Sequence, residues 1–60
     1  MITLEEQIAE VERELFFRGR VYPGLVARGK MTLKEAERHT ARMTAVRDTL
    51  KELARKERLL

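Results

Sequence analysis

The sequence contains no cysteine and only one histidine among its 60 residues. Disulfides are therefore excluded, and a lone histidine without clustered acids leaves a structural metal ion without ligands. A chain of this length buries only about 60% of the surface that its unfolded form exposes. We therefore expect one small domain, residues 1–60, that gains stability by associating with itself or with a partner. The lack of cysteine also suits the cytoplasm.

Long hydrophobic runs are absent as well. The longest uncharged stretch, Val21–Ala27, is far shorter than the roughly 20 residues that a membrane-spanning helix needs. The first residues, Met1–Glu6, are acidic, whereas a targeting segment is basic at its start. We expect a soluble cytoplasmic protein that does not bind membranes.

Catalytic motifs are also missing. The chain has no glycine-rich phosphate loop, no nucleophile elbow and no second histidine that could complete a catalytic set. Glu35 and His39 stand four residues apart on one helix face, but two ligands without a third are a weak metal signal. The sequence predicts a protein that is not an enzyme and that binds neither a cofactor nor a metal.

The apolar residues, in contrast, follow a clear pattern. In each half of the chain they recur at alternating spacings of three and four, which is typical of one helix packing on another. Reflection about the Lys30–Met31 bond brings the two apolar seams face to face and predicts an all-α antiparallel two-helix hairpin. The reflected pairs are Leu25 with Ala36, Tyr22 with His39, Leu15 with Val46, Val11 with Leu50, and Ile8 with Leu53.

Capping signals set the ends of the two helices. Thr3-Leu4-Glu5-Glu6 and Thr32-Leu33-Lys34-Glu35 both have the spacing of a capping box, in which a threonine and a glutamate satisfy each other's backbone N–H groups. Gly29 precedes the second box, where a C-terminal cap is expected. These signals predict helices at about residues 4–28 and 33–58.

Pro23 is the weak point of the first helix. It removes a backbone donor, and its ring crowds the carbonyl group of Gly19 four residues earlier. Gly19 and Gly24 lower the local helix propensity further. We expect a kink near residues 19–23. The alternative is a complete break, with a separate short helix over residues 21–28 that Pro23 begins.

A single hairpin leaves several apolar side chains off the seam. Phe16, Phe17 and Val26 have no place in it, and exposed apolar patches usually mark interfaces. We expect a homodimer that packs two hairpins into a four-helix bundle. The alternative occupant of the patch is a different protein, and both can hold if one phenylalanine enters the dimer and the other meets a target. Leu33, Leu59 and Leu60 are also expected to be poorly covered.

Charge is distributed unevenly. Residues 1–15 contain five acids against Arg13, whereas residues 16–34 contain five bases and no acid. This pattern favours the antiparallel pairing and leaves the turn end basic, which can steer an acidic partner. The bases combine there with aromatic anchors. The predicted partner-binding residues are Phe16, Phe17, Arg18, Arg20, Tyr22, Arg28 and Lys30.

Two further interpretations stay open. Arg18, Tyr22 and His39 meet across the predicted seam, either as local hydrogen-bonding groups or as a small functional cluster. Basic stripes on the second helix could also follow a phosphate backbone, which makes a small nucleic-acid-binding dimer the alternative function. Acidic residues interleave these stripes at ion-pair spacing, as on a solvated face. The stripes are Lys34, Arg38 and Arg42, and Arg47, Lys51, Arg55 and Arg58.

The central segment contains Arg20-Val21-Tyr22-Pro23, Val26, Gly29-Lys30-Met31-Thr32, Ala36, Met43-Thr44-Ala45-Val46, Thr49 and Leu50. In these residues it resembles a family of short proteins encoded by bacteriophages and prophages of Gram-negative bacteria. The family pattern has a large residue where this chain has Gly19 and Gly24. The resemblance implies an accessory protein, in the cytoplasm of a bacterial host, that binds and disables a host protein. One parallel is the phage-encoded quorum-sensing anti-activator, a small helical dimer that occupies a transcription regulator; a role in assembling the phage particle is a third possibility.

Overall fold

A computed structural model describes residues 1–59 of the chain, so Leu60 lies outside the described residues. Helix α1 spans Leu4–Ala27 and helix α2 spans Leu33–Leu59, and the two pack against each other. No strand occurs in residues 1–59. The predicted all-α hairpin and both predicted helices are confirmed, with ends within one residue of those expected.

The end of α1 shows why the chain turns back at this point. The backbone N–H of Gly29 donates to the carbonyl oxygen of Val26 at 3.1 Å, and that of Lys30 donates to Leu25 at 2.9 Å. This pair of bonds is the Schellman motif, which needs a left-handed residue just after the helix. Gly29 supplies it with a φ of 72°. The predicted glycine cap is therefore confirmed.

Both helices begin at the predicted capping threonines. In the first box, the hydroxyl of Thr3 accepts from the backbone N–H of Glu6 at 3.1 Å. The second box is reciprocal: the N–H of Glu35 donates to Thr32 Oγ1 at 3.0 Å, and the N–H of Thr32 donates to Glu35 Oε1 at 3.2 Å. Local sequence thus fixes where α2 starts.

Helix α1 runs without interruption through Pro23. The complete break with a separate short helix is therefore wrong, whereas a bend at this proline stays a prediction. Pro23 lies in the last turn and a half of the helix, so few hydrogen bonds follow the donor that it lacks.

The seam of α2 differs in part from the predicted one. Val46 and Leu53 were expected in it, yet both remain 46% exposed. Their neighbours are covered instead: Ala54 is buried and Arg47 is partly covered. An alanine lets the helix backbones approach closely, and the methylene stem of an arginine can cover apolar surface while its charge reaches water. The prediction that Val46 and Leu53 are covered in the seam is therefore wrong.

The hairpin has no core of its own. Ala36 and Ala54 are the only buried residues in the described chain, and no large side chain there is fully covered. The Cα trace measures 48 × 19 × 14 Å, which is one helix layer thick. Domains normally bury an apolar face between at least two layers. This hairpin therefore presents two broad faces with nothing packed against them.

Candidate interaction surfaces

The two adjacent phenylalanines lie on different flanks of α1, about 100° apart around the helix. Successive residues turn by about 100° around a helix, and the seam occupies the side of α1 that neither phenylalanine uses. Their ring centroids are 6.1 Å apart and their planes meet at 72°. Phe16 is 60% exposed and Phe17 is 46% exposed. The two rings therefore contact each other edge to face, and both lie on the part of α1 that the seam leaves uncovered.

The face that carries Phe16 contains a groove of about 510 Å³ between α1 and α2 near the turn. We call it the groove face. Gly19 and Pro23 follow Phe16 on this side of α1 at helical spacing, and Leu33 stands at the rim as an exposed side chain. The groove is lined by Arg18, Gly19, Tyr22, Pro23, Val26, Leu33, Ala36, Glu37, Thr40 and Ala41.

Small residues create this groove. Ala36 and Ala41 on α2 and Gly19 on α1 all line it. A Cβ atom added at Gly19 would meet no other atom within 4 Å, so packing within the hairpin does not require glycine there. Glycine costs roughly 1 kcal/mol relative to alanine inside a helix. The groove is thus an open apolar space maintained at some expense of helix stability.

The opposite face carries an apolar stripe made of Phe17, Val21, Val46 and Leu53. Each of these side chains is close to half exposed. In the antiparallel register Val46 lies level with Leu15, and Leu53 lies level with Ile8. At 1.5 Å per residue, the stripe therefore extends for about 20 Å along the hairpin and is centred near its middle. We call this side the stripe face.

An arginine accompanies each phenylalanine. The guanidinium carbon of Arg20 lies 5.5 Å from the ring centroid of Phe16, and that of Arg13 lies 5.3 Å from the centroid of Phe17. Such cation–π contacts contribute about 0.5–1 kcal/mol at exposed sites. They hold each ring beside a positive charge, so each face offers an aromatic group together with a cation.

Arg18, Tyr22 and His39 do meet at the seam. Arg18 Nε donates to Glu14 Oε1 at 2.9 Å, and its Nη1 donates to the carbonyl oxygen of His39 at 3.0 Å. The Tyr22 and His39 rings pack edge to face with centroids 6.5 Å apart. Arg18 is thus engaged within the hairpin, unlike the exposed Arg20.

The basic residues at the turn end lack acidic partners. Within residues 1–59, ion pairs engage Arg13, Arg18, Arg47, Lys51 and Arg55 only. One of these pairs crosses between the helices, with Lys51 Nζ 3.0 Å from Glu12 Oε2. The predicted residues Arg28 and Lys30 are exposed beside the turn. The bases of the described chain without an ion pair between residues 20 and 42 are Arg20, Arg28, Lys30, Lys34, Arg38 and Arg42.

Glu35 caps the start of α2 through its hydrogen bonds with Thr32. Hydrogen bonds from the Thr32 hydroxyl and backbone hold the pKa of Glu35 below its usual value, with a smaller contribution from the charges of His39 and Arg38. No cluster of three potential metal ligands occurs in residues 1–59. Neither helix there is both long and apolar enough to cross a bilayer.

Comparison of the chain with models of known protein families, with curated proteins and with solved structures finds no significant match. The functional assignment therefore depends on the two faces and on the unpaired charges.

Sequence reasoning did not find the groove or the stripe. The sequence placed the phenylalanines and basic residues in one partner-binding set, with the alternative that one phenylalanine enters a dimer and the other meets a target. It left Leu33 as an uncovered side chain. The spacing of Gly19 and Pro23, opposite small residues at 36, 40 and 41, was the available signal for a groove. The exposure of Val46 and Leu53 was not predicted, because both residues fit the apolar spacing of the seam as well as their neighbours do.

Proposed function

We propose that this chain is a small non-catalytic interaction module, a phage or prophage accessory protein that binds and inhibits a host protein such as a transcription regulator. The observation that carries the proposal is the apolar groove beside Phe16 at a basic end of the molecule. Inhibition is by occlusion, since a bound hairpin covers surface that the host protein needs.

In this proposal the groove slows dissociation of the bound partner. An interface is dominated by a few buried aromatic or aliphatic anchors that fill pockets. Here the roles are complementary: Phe16 and Leu33 project from the face, and the space above Gly19 accepts an apolar side chain of the partner. Tyr22 lines the same space and presents a hydroxyl group for orientation.

The unpaired bases supply attraction from a distance. Arg20, Arg28 and Lys30 are exposed, and none has an acidic partner within residues 1–59. A cluster of one sign raises the association rate with a surface of the opposite sign. An acidic patch on a protein in the bacterial cytoplasm is therefore the surface that fits the groove face.

The same unpaired bases support the alternative function, a small nucleic-acid-binding dimer. Lys34, Arg38 and Arg42 recur at a spacing of four on α2. Binding of this kind weakens steeply with salt, because phosphate contacts release counterions. The apolar groove favours the protein partner, since a phosphate backbone offers nothing to fill it.

The test is capture of proteins from bacterial lysate by the tagged full chain, with and without nuclease, followed by mass spectrometry. The proposal predicts one near-stoichiometric host protein that survives nuclease and 300 mM salt. Gly19→Leu, which fills the groove, should abolish that capture. Gly24→Leu is the matched control, because a Cβ there meets only the flexible guanidinium of Arg28, at 3.7 Å.

Two results would overturn the proposal. A diffuse set of nucleic-acid-associated proteins that vanishes with nuclease supports the alternative function. If the Gly19→Leu variant and the wild type capture the host protein equally, the groove is not the partner-binding site.

A further inference from the structure

The hairpin exposes more surface than is usual for a monomeric protein of its mass. The chain exposes 4939 Å². A folded monomer of 7.1 kDa exposes about 4,100 Å², from the scaling of surface with mass. The excess, about 800 Å², matches the area that each partner contributes to an interface of standard size.

From this area and the distribution of charge we infer that a second copy of the chain covers the stripe face, with the two turns at opposite ends of the dimer and α1 packed antiparallel on its own copy. The inference rests on the interaction module proposed above and goes beyond it, because it names the face on which a second copy packs and the arrangement of the two copies.

The position of the stripe selects the face. The stripe of Phe17, Val21, Val46 and Leu53 is centred near the middle of the hairpin, so two hairpins that share it overlap along their whole length. The groove lies beside the turn, between residues 18–26 of α1 and 33–41 of α2. A twofold axis placed there would leave the far half of each hairpin uncovered.

The distribution of charge favours one of the two ways in which two copies can pack their stripe faces together. A twofold axis along the hairpin would put both turns together and bring the two sets of unpaired bases side by side, which is repulsive. An axis across the hairpin puts the first half of α1, with five acids and one base, beside residues 16–34 of the copy, with five bases and no acid. Along α1, opposite charges then face each other at both ends of the dimer.

The arrangement has a functional consequence. Because the stripe faces are buried together, both groove faces point outward at opposite ends of the dimer. Val46 lies near the twofold axis and therefore beside its own copy. A dimer of this form presents two equivalent grooves, and it can engage a dimeric target through two contacts and gain from multivalency.

The absence of natural cysteine makes the arrangement measurable through single-cysteine variants. A spin label at Lys30→Cys reports the distance between the two turns in the full-length protein. With the axis near residue 15 and 1.5 Å per residue, that distance is about 45 Å. An axis at the groove predicts about 25 Å, and turns that lie together predict less than about 20 Å. Only a distribution near 45 Å agrees with the inference, and either shorter distance or no dipolar signal overturns it.

A second variant tests the centre of the interface. Val46→Cys should form a disulfide-linked dimer under mild oxidation, whereas Ala41→Cys on the groove face should stay monomeric on a non-reducing gel. The reverse pattern contradicts the inference. Failure of this inference can be distinguished from failure of the proposed function. If the protein is a monomer and still captures its host protein, the inference is wrong and the proposed function stands. If it dimerises through the stripe face and captures nothing, the proposed function is wrong and the inference stands.

Discussion

Arg18 Nη1 donates a hydrogen bond to the main-chain carbonyl oxygen of His39 at 3.0 Å, which links the two helices close to the turn. The same guanidinium binds Glu14 on its own helix, and its side chain is only 20% exposed. Arg18 thus holds the hairpin together at the position where the groove opens. Its first role is structural, although it also lines the groove.

Loss of this link should weaken the fold. Arg18→Ala removes both hydrogen bonds and leaves the carbonyl group of His39 without this partner. We expect the free energy of unfolding to fall by about 1.5–3 kcal/mol, because a hydrogen bond that involves a charged group contributes at that level. Urea denaturation followed by circular dichroism measures the change. Arg18→Lys, which can keep one bond, should recover part of it, and equal stability of all three proteins contradicts the role.

Gly29 should be far more sensitive than the other two glycines. Its φ of 72° is left-handed, so Gly29→Ala should cost about 1–2 kcal/mol. Gly24→Ala is the control within α1, where alanine should instead stabilise the helix by up to about 1 kcal/mol. Thermal unfolding of the two variants should therefore shift in opposite directions. A shift in the same direction would exclude the Schellman cap as the end of α1.

Acid should destabilise the start of α2. The pKa of Glu35 is lowered by its hydrogen bonds with Thr32, so the folded state stabilises the ionised carboxylate more than the unfolded state does. This stability is fully present above the usual glutamate pKa and is lost as pH falls through the lowered value. Glu35→Gln keeps the capping geometry but cannot titrate. We expect its urea midpoint to change less than that of wild type between pH 6 and pH 3.

The two phenylalanines should have separable roles. Phe17→Ala should weaken self-association, because Phe17 belongs to the stripe, while host-protein capture per folded chain changes less. Phe16→Ala should do the opposite. Sedimentation velocity and the lysate capture, run on both variants, measure the two effects. If either variant impairs both properties equally, or neither, the assignment of one phenylalanine to each face is wrong.

Removing the stripe should also expose how far folding depends on association. Leu53→Glu places a charge on the stripe at a side chain that is already 46% exposed in the single hairpin. We expect a monomer with lower helicity at micromolar concentration, because the hairpin has no core of its own. The wild-type melting temperature should rise with protein concentration, as mass action requires of a dimer that folds by associating. A concentration-independent melting temperature would contradict this.

The local features of the fold were predictable from the sequence, because they depend on neighbouring residues. Thr32 with Glu35 fixes a helix start, and Gly29 with its position after α1 fixes a helix end. The rotation of α2 about its axis was not predictable, because Val46 and Arg47 compete for one seam position. The choice depends on how closely the backbones approach at Ala36 and Ala54. That small rotation decides which residues form the stripe.

The candidate site was predicted only in its parts. Phe16 and Phe17 were predicted as one exposed patch whose two members can serve a dimer and a target separately, and the structure places them about 100° apart around α1 with their rings in contact. The basic turn end followed directly from composition. The groove was not predicted, because it results from small residues such as Gly19 and Ala41. A hydrophobicity pattern shows where large apolar side chains lie and does not show where space is left between helices.

The most direct test of the two-faced interaction module is the molar mass of the full chain in solution, measured by sedimentation equilibrium between about 1 and 100 μM. The account predicts a fully helical species of twice the 7.1 kDa chain mass at the upper concentrations. A well-folded species that stays at 7.1 kDa throughout would contradict it, because the stripe face would then be stable without a second copy.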